Sequence, residues 1–151
     1  MKAHEIMKSN VLTVQENETV RSVIEKFLEN GISGLPVINQ KNEIVAYVSD
    51  GDIMRFIGKH KDIIVNSFFF VDVIRGDDEE FEERVKRMLN LNVMEIAQKK
   101  VVTIDYDESA ENIAAILGNK HIKKLPVERN GVLAGIISRG DVVRKSFQAL
   151  L

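Results

Sequence analysis

The stretch Gly135-Ile136-Ile137-Ser138-Arg139-Gly140-Asp141-Val142-Val143-Arg144, GIISRGDVVR, has a second version in Ala46–Arg55, AYVSDGDIMR, with serine, glycine, aspartate and arginine in the same places. An offset of 89 positions carries Ser49, Gly51, Asp52 and Arg55 onto Ser138, Gly140, Asp141 and Arg144. An offset of 90 carries Thr13 onto Thr103 and Leu35-Pro36-Val37 onto Leu125-Pro126-Val127. The slip of one residue falls where Asn39-Gln40-Lys41-Asn42-Glu43 faces the shorter Arg129-Asn130-Gly131, and a hairpin turn absorbs it. The chain has two prolines, and both stand at the same point of the repeat. Self-similarity of this kind is the mark of an internal duplication.

Each copy reads as strand, helix, strand, strand, helix. Thr19 is placed to cap a helix whose apolar residues Val20, Val23, Ile24, Phe27 and Leu28 recur at helical spacing, ending near Asn30-Gly31. Its counterpart runs from Ser109 through Ile113, Ala114 and Leu117 to Gly118. Paired apolar runs follow, Leu35 to Ile38 with Ile44 to Ser49, and Leu125 to Val127 with Val132 to Ser138. Asn130-Gly131 is a hairpin signal. Proline gives no N–H to a ladder, so Pro36 and Pro126 are expected at a strand start or edge, beside free backbone. A last helix opens at Gly51 or Gly140. One unit of about 55 residues hides too little surface to stand alone. Two units are therefore expected to pack sheet to sheet about a pseudo-twofold, with a cleft between them. The expected fold class is α/β, in the α+β sense, with β-α-β-β-α repeats over residues 1–57 and 91–151.

Residues 58–90 are too many for a bare loop. Asp77-Asp78-Glu79-Glu80 ahead of Phe81, Val85, Met88 and Leu89, with Lys86-Arg87 near the end, predicts an amphipathic helix near 77–89. Phe68-Phe69-Phe70 is expected to pack beneath or beside it, with a lid or an oligomer contact as the alternative.

Composition narrows the function classes. Hydrophobic residues at 44% and charged ones at 29% describe a globular chain. A formal net charge of -2 supplies no global field for nucleic acid or anionic membrane. The chain has no cysteine, which removes disulfides and thiolate sites and fits an intracellular, cytoplasmic protein. No membrane partner is expected, because Ile63 to Ile74 is interrupted by Asn66, Ser67 and Asp72. His4, His60 and His121 lack metal-ligand spacing.

Ser-x-x-Asp at a strand-to-helix junction is first of all a capping box, worth about 1 kcal/mol. Its functional reading comes from the combination. A helix N-terminus with free N–H groups attracts anions, and a carboxylate in its first turn accepts both hydrogens of a ribose diol.

On these residues the chain resembles a tandem pair of cystathionine beta-synthase (CBS) domains, the Bateman module. That family carries a Leu-Pro-Val strand and a Gly-hydrophobic-x-Ser/Thr-x-x-Asp lead into its last helix. GIISRGD fits throughout; AYVSDGD departs by Ala46 in place of glycine. The resemblance implies a regulatory module, not an enzyme. It would bind AMP, ADP, ATP or S-adenosylmethionine between the repeats, associate as a homodimer through its helices, and signal to an effector protein absent from this sequence. It further implies two pockets, each taking Ser and Asp from one repeat and a base-lining strand from the other. One would join Ser138, Arg139 and Asp141 to Asn10, Leu12, Ile32, Ser33 and Pro36. In it Asp141 would hold the ribose, Ser138 a phosphate or ribose oxygen, Arg139 a phosphate, and Leu12, Ile32 and Pro36 the adenine. The other would join Ser49, Asp50 and Asp52 to Val102, Ile122 and Lys123. There Asp50 replaces Arg139, and Lys123, Lys124 or His121 would offset it, although both lysines also read as surface charges. The Asp141 pocket ranks first, since its motif is complete and its variable position is cationic.

Rival readings have less behind them. Arg139-Gly140-Asp141 spells an adhesion tripeptide, yet it opens a helix in a cysteine-free chain. An enzyme would need a partner acid or histidine at motif spacing to Asp52 or Asp141. Nucleic-acid binding would rest on Gly58-Lys59-His60-Lys61 and on 119–124, which lack aromatic interleaving, so no nucleic-acid partner is expected. A dimerising scaffold that takes no ligand stays open.

Overall fold

The computed structural model describes residues 1–59, 63–66, 68–69, 71–74, 78–119 and 122–151, and of 63–66 and 72–74 the backbone alone. The sequence expectations for His60, Lys61, Phe70, Asp77, Lys120 and His121 lie outside the described residues. The first half runs β1 (Val14–Gln15), α2 (Val20–Asn30), β2 (Gly34–Ile38), β3 (Ile44–Ser49) and α3 (Asp50–Ile57), following a short lead-in helix α1 (Ala3–Ile6). The second runs β6 (Ile104–Asp105), α5 (Ala110–Gly118), β7 (Lys124–Arg129), β8 (Val132–Ser138) and α6 (Arg139–Phe147), following a 3-10 turn at Val93–Glu95. Each half is a three-stranded sheet with its helices, ordered β1-β2-β3 and β6-β7-β8. The fold is mixed α/β, as the duplicated pattern implies.

Local chemistry sets the element ends. Gly31 takes a left-handed φ of 60° and closes α2. Ser109 Oγ accepts from the Asn112 amide at 3.2 Å and starts α5, whereas Thr19 occupies the cap position of α2 without a side-chain bond. Asn130 and Gly131, at φ 53° and 80°, turn β7 into β8. Pro36 and Pro126 lie inside the middle strands, not at their starts. They are tolerated because β1 and β6 are two-residue strands that pair only with Val37-Ile38 and Val127-Glu128. The flank of each middle strand before that point is left free of its parallel neighbour, and there the prolines sit.

The halves are joined by a reciprocal crossing that the linear repeat conceals. The lead-in segment of the first half packs into the second: Ala3 and Ile6 are buried with Ile113, Leu125, Val127 and Ile137. The lead-in segment of the second packs into the first, with Val93 buried among Val14, Val23, Leu35, Val37 and Val48. The hydrogen bonds obey the same twofold. Ala3 N donates to Glu108 O at 2.8 Å and Val93 N to Glu18 O at 3.0 Å; Ala110 N donates to Met1 O and Val20 N to Leu91 O, both at 2.9 Å. Lys8 exchanges backbone bonds with Ile136 on β8, and Gln98 does the same with Tyr47 on β3.

The connecting segment contributes a hairpin, β4 (Ile63–Asn66) with β5 (Val71–Ile74), and helix α4 (Phe81–Leu89). Met88 of α4 packs with Val20 and Ile53 in a third cluster. Buried Arg84 donates from Nη1 to Ile57 O at 3.0 Å and satisfies the carbonyl end of α3. The expectation that the phenylalanine run packs against this helix does not hold for Phe68 and Phe69. They are 95% and 91% exposed and touch one another edge to face at the hairpin tip. Among the described residues no helix is long and apolar enough to cross a membrane.

The crossing also explains why the two motifs differ at their first residue. A Cβ on Gly135 would stand 2.8 Å from Met7 Cγ and 2.9 Å from the Lys8 carbonyl oxygen, both in the lead-in segment. The equivalent residue on the other side is Ala46, fully buried, and the lead-in residue matching Met7 is Ala97, packed in the same cluster as Ala46. A large lead-in residue goes with glycine, and a small one with alanine. Gly135→Ala is expected to cost about 1–3 kcal/mol by overpacking. In urea unfolding, Met7→Ala should recover at least half of that loss, a coupling that a double-mutant cycle measures directly.

Candidate functional site

Both motif aspartates are buried, and both complete a capping box. Asp52 Oδ2 accepts from Ser49 N at 2.9 Å, and Asp141 Oδ2 accepts from Ser138 N and Ser138 Oγ, each at 2.9 Å. The second oxygen of each acid faces the seam between halves. Asp141 Oδ1 accepts from Arg144 Nη2 at 2.7 Å and has Lys8 Nζ at 3.6 Å. Asp52 Oδ1 accepts from Arg55 and, at 2.9 Å, from Gln98 Nε2. Lys8 and Gln98 are equivalent positions of the two lead-in segments, so each acid is bridged to the segment that crosses from the other half.

Among the described residues, two clefts open along that seam. The larger, about 330 Å³, is walled by Ser33, Gly34, Tyr47, Ser49, Asp50 and Gly51 from the first half and by Gln98, Lys100, Val101, Val102, Ile122, Lys123, Lys124 and Pro126 from the second. The smaller, about 180 Å³, is walled by Lys8, Asn10, Val11, Leu12, Ile32, Gly34 and Pro36 with Lys124, Ile136, Ser138 and Asp141. The two are related by the repeat: Asn10 and Lys100, Leu12 and Val102, Ile32 and Ile122, Pro36 and Pro126 stand at matching positions. Leu12 and Val102 keep 41% and 50% of their surface exposed at the cleft mouths. Such apolar shelves beside polar donors suit a flat heteroaromatic ring.

The predicted residues divide between these clefts with three exceptions. The smaller cleft gathers Asn10, Leu12, Ile32, Pro36, Ser138 and Asp141; the larger gathers Ser49, Asp50, Val102, Ile122 and Lys123. Ser33, expected beside Asp141, faces the larger cleft instead, because it lies at the Gly34 end of β2 where Ser49 is the paired neighbour. Arg139 does not line the smaller cleft. Its Nη2 donates to Asn119 O at 2.9 Å and closes the carbonyl end of α5. Asp52 sits behind the larger cleft wall, enclosed by Ser49, Arg55 and Gln98. Sequence reasoning missed Lys8, Tyr47, Gln98 and Lys100. The offset of 90 applied to Asn10 would have pointed to Lys100; Tyr47 has no such signal, since its counterpart is Ile136.

The charge distribution follows the same asymmetry. Among the described residues the larger cleft has Lys100, Lys123 and Lys124 against one lining carboxylate, Asp50. Burial, with the charge of Asp50 added, pushes the Tyr47 hydroxyl up to about 12, so it remains an O–H donor at the cleft. Burial pushes Asp141 upward too, but the Ser138 amide and hydroxyl, Lys8 and Arg144 outweigh it and hold the acid below its ordinary value of 3.8. An acid with a lowered folded pKa stabilises the fold above its unfolded pKa, and that contribution disappears as pH falls through the folded value. Asp141→Asn should therefore lower stability at pH 7 by roughly 1–3 kcal/mol. In urea unfolding at a series of pH values, the gap between variant and wild type should narrow progressively below pH 4.

Known proteins share this architecture. Protein MJ1426 of Methanocaldococcus jannaschii is 30% identical over 147 residues, covering 92% of this chain and 87% of that protein. The Arabidopsis thaliana protein CBSX2, solved in complex with AMP, superposes with a TM-score of 0.74 at 22% identity, covering 99% of this chain and 98% of that one. Protein MJ1225 of Methanocaldococcus jannaschii, described as a putative archaeal homolog of g-AMPK, superposes with a TM-score of 0.75 at 21% identity, covering 96% of this chain and 47% of the other. The family model of the CBS domain matches residues 3–59 and again 93–147. The chain belongs to the CBS domain family, as a pair of such domains in tandem.

Proposed function

We propose that the chain is a regulatory, non-catalytic module that binds a phosphorylated adenosine in the larger cleft. The observation that supports this most is the collection of Lys100, Lys123 and Lys124 around an apolar shelf of Val102, Ile122 and Pro126. The equivalent positions of the first half are Asn10, Ser33 and Gly34, so the second half adds Lys100 and Lys123 to the larger cleft alone and Lys124 to the wall that both clefts share. A purine would lie against the shelf, the Ser49 and Tyr47 hydroxyls would meet polar atoms of the sugar, and the lysines would neutralise phosphate. The cleft volume lies at the lower end of the range for small-molecule sites. CBSX2 with bound AMP supports the ligand class by analogy of fold.

This reading reverses the ranking drawn from the motifs. The complete motif lies on the smaller cleft, but Arg139 is turned away from it and Lys8 there is paired with Asp141, whereas Lys100 and Lys123 line the larger cleft alone. A sulfonium ligand such as S-adenosylmethionine would place positive charge among lysines, which opposes it.

Occupancy would reach an effector protein by shifting the geometry of the two halves, which requires a ligand that favours one arrangement. Association of two copies would use the outer faces of α3 and α6. There Met54 and Val143 stand at equivalent positions, 56% and 59% exposed, beside Phe147 at 55%. A scaffold without a ligand is the second reading, favoured by the internal partners that both motif acids already have.

Isothermal titration with AMP, ADP, ATP and S-adenosylmethionine tests the proposal. ATP or ADP should bind most tightly and S-adenosylmethionine most weakly, and Lys100→Gln with Lys123→Gln should weaken ATP at least tenfold. Thermal unfolding distinguishes the scaffold, since a ligand at a hundred times its dissociation constant adds about 2.7 kcal/mol. No shift with any of the four at millimolar concentration would favour the scaffold.

A further inference from the structure

The two clefts share a wall, and the wall breaks the twofold. Gly34 and Lys124 line both clefts, and they are equivalent residues of the repeat, each paired across its hairpin with the motif serine. Symmetry would put a lysine at both positions. In the first half a side chain there meets the Tyr47 ring, since a Cβ on Gly34 would stand 2.7 Å from the Tyr47 hydroxyl oxygen and the tyrosine would have to shift. In the second half the residue equivalent to Tyr47 is Ile136, which is shorter and leaves Lys124 its place. Among the described residues, the shared wall thus carries one ammonium where the repeat would supply two.

An ammonium on a four-carbon stem is a compact point charge that reaches either way but neutralises one anion at a time. Resting on the reading of the larger cleft as a nucleotide site, and extending it to its repeat-related counterpart, we infer that the two are negatively coupled through Lys124: a phosphate drawn onto it in one cleft weakens anion binding in the other. Occupancy of the pair is then graded, with the second nucleotide entering only at higher concentration. Tyr47 favours this arrangement, because its ring occupies the space that a side chain at position 34 would enter.

Calorimetric titration of the full chain with ADP, read as microscopic constants, tests it. The second cleft should bind at least fivefold more weakly once the first is filled, within the usual span of coupling between sites. The double variant Gly34→Lys/Tyr47→Ile copies into the first half the pair already present in the second. It should restore a second ammonium and bring the two constants within twofold, or turn a single ADP per chain into two. Lys124→Met, which needs no repacking, should weaken both sites and reduce the coupling below twofold. Independent clefts in the wild type, or coupling or single occupancy unchanged in both variants, would overturn the inference while leaving nucleotide binding intact. No binding of ADP to the wild type would overturn the nucleotide reading itself and this inference with it.

Discussion

The exchange of lead-in segments is the constraint on which the remaining structure depends. Each sheet is too small to enclose a core by itself, and each is completed by residues that belong, in sequence, to the other copy: Ala3 and Ile6 on one side, Val93 on the other. Apolar burial therefore fastens the halves together instead of merely placing them side by side. The same segments, continuing past Lys8 and Gln98, run along the seam as the outer walls of the clefts and end in the short strands β1 and β6. Because those strands begin late, the flanks of β2 and β7 at Pro36 and Pro126 are left without a parallel neighbour and line the clefts of the seam. Packing thus determines where a ligand could sit.

Within that frame the two copies have diverged in a coordinated way. Met7 with Gly135 and Ala97 with Ala46 conserve volume on each side of the twofold by opposite choices. Tyr47 with Gly34 and Ile136 with Lys124 do the same at the wall between the clefts. The first pair keeps the fold symmetric. The second makes the clefts unequal in shape and in charge, and Lys100 and Lys123 on one side extend that inequality.

Much of the architecture was legible because duplication prints every element twice. The hairpin at Asn130-Gly131, the caps at Ser49 and Ser138, and the helix stop at Gly31 follow from local chemistry that sequence displays directly. The crossing was not legible, since no periodicity says which core a short apolar lead-in such as Ala3 to Met7 will enter. The prolines were read as marking free backbone at a strand start or edge; they lie within the middle strands, on the flank their short parallel neighbours leave unpaired, and the length of that neighbour is a tertiary fact. At the site, matching positions brought Ser49, Ser138, Asp141, Leu12, Val102 and Ile122 to the seam. Arg139 was misdirected because the carbonyl of Asn119, 20 residues away, competes for it. Phe68 and Phe69 illustrate the opposite failure, an apolar run that local reasoning buries and the hairpin leaves exposed.

Native-state hydrogen exchange on Ile6→Ala tests the reciprocal crossing most directly. Ile6 packs against β7 and β8 although it precedes β1 in the chain. Loss of that buried side chain should cost about 2–5 kcal/mol. If the halves form one interlocked unit, amides of β2 and β3 will lose as much protection as those of β7 and β8. A loss confined to β7 and β8, with β2 and β3 exchanging as in the wild type, would show that the halves unfold separately and would contradict the account.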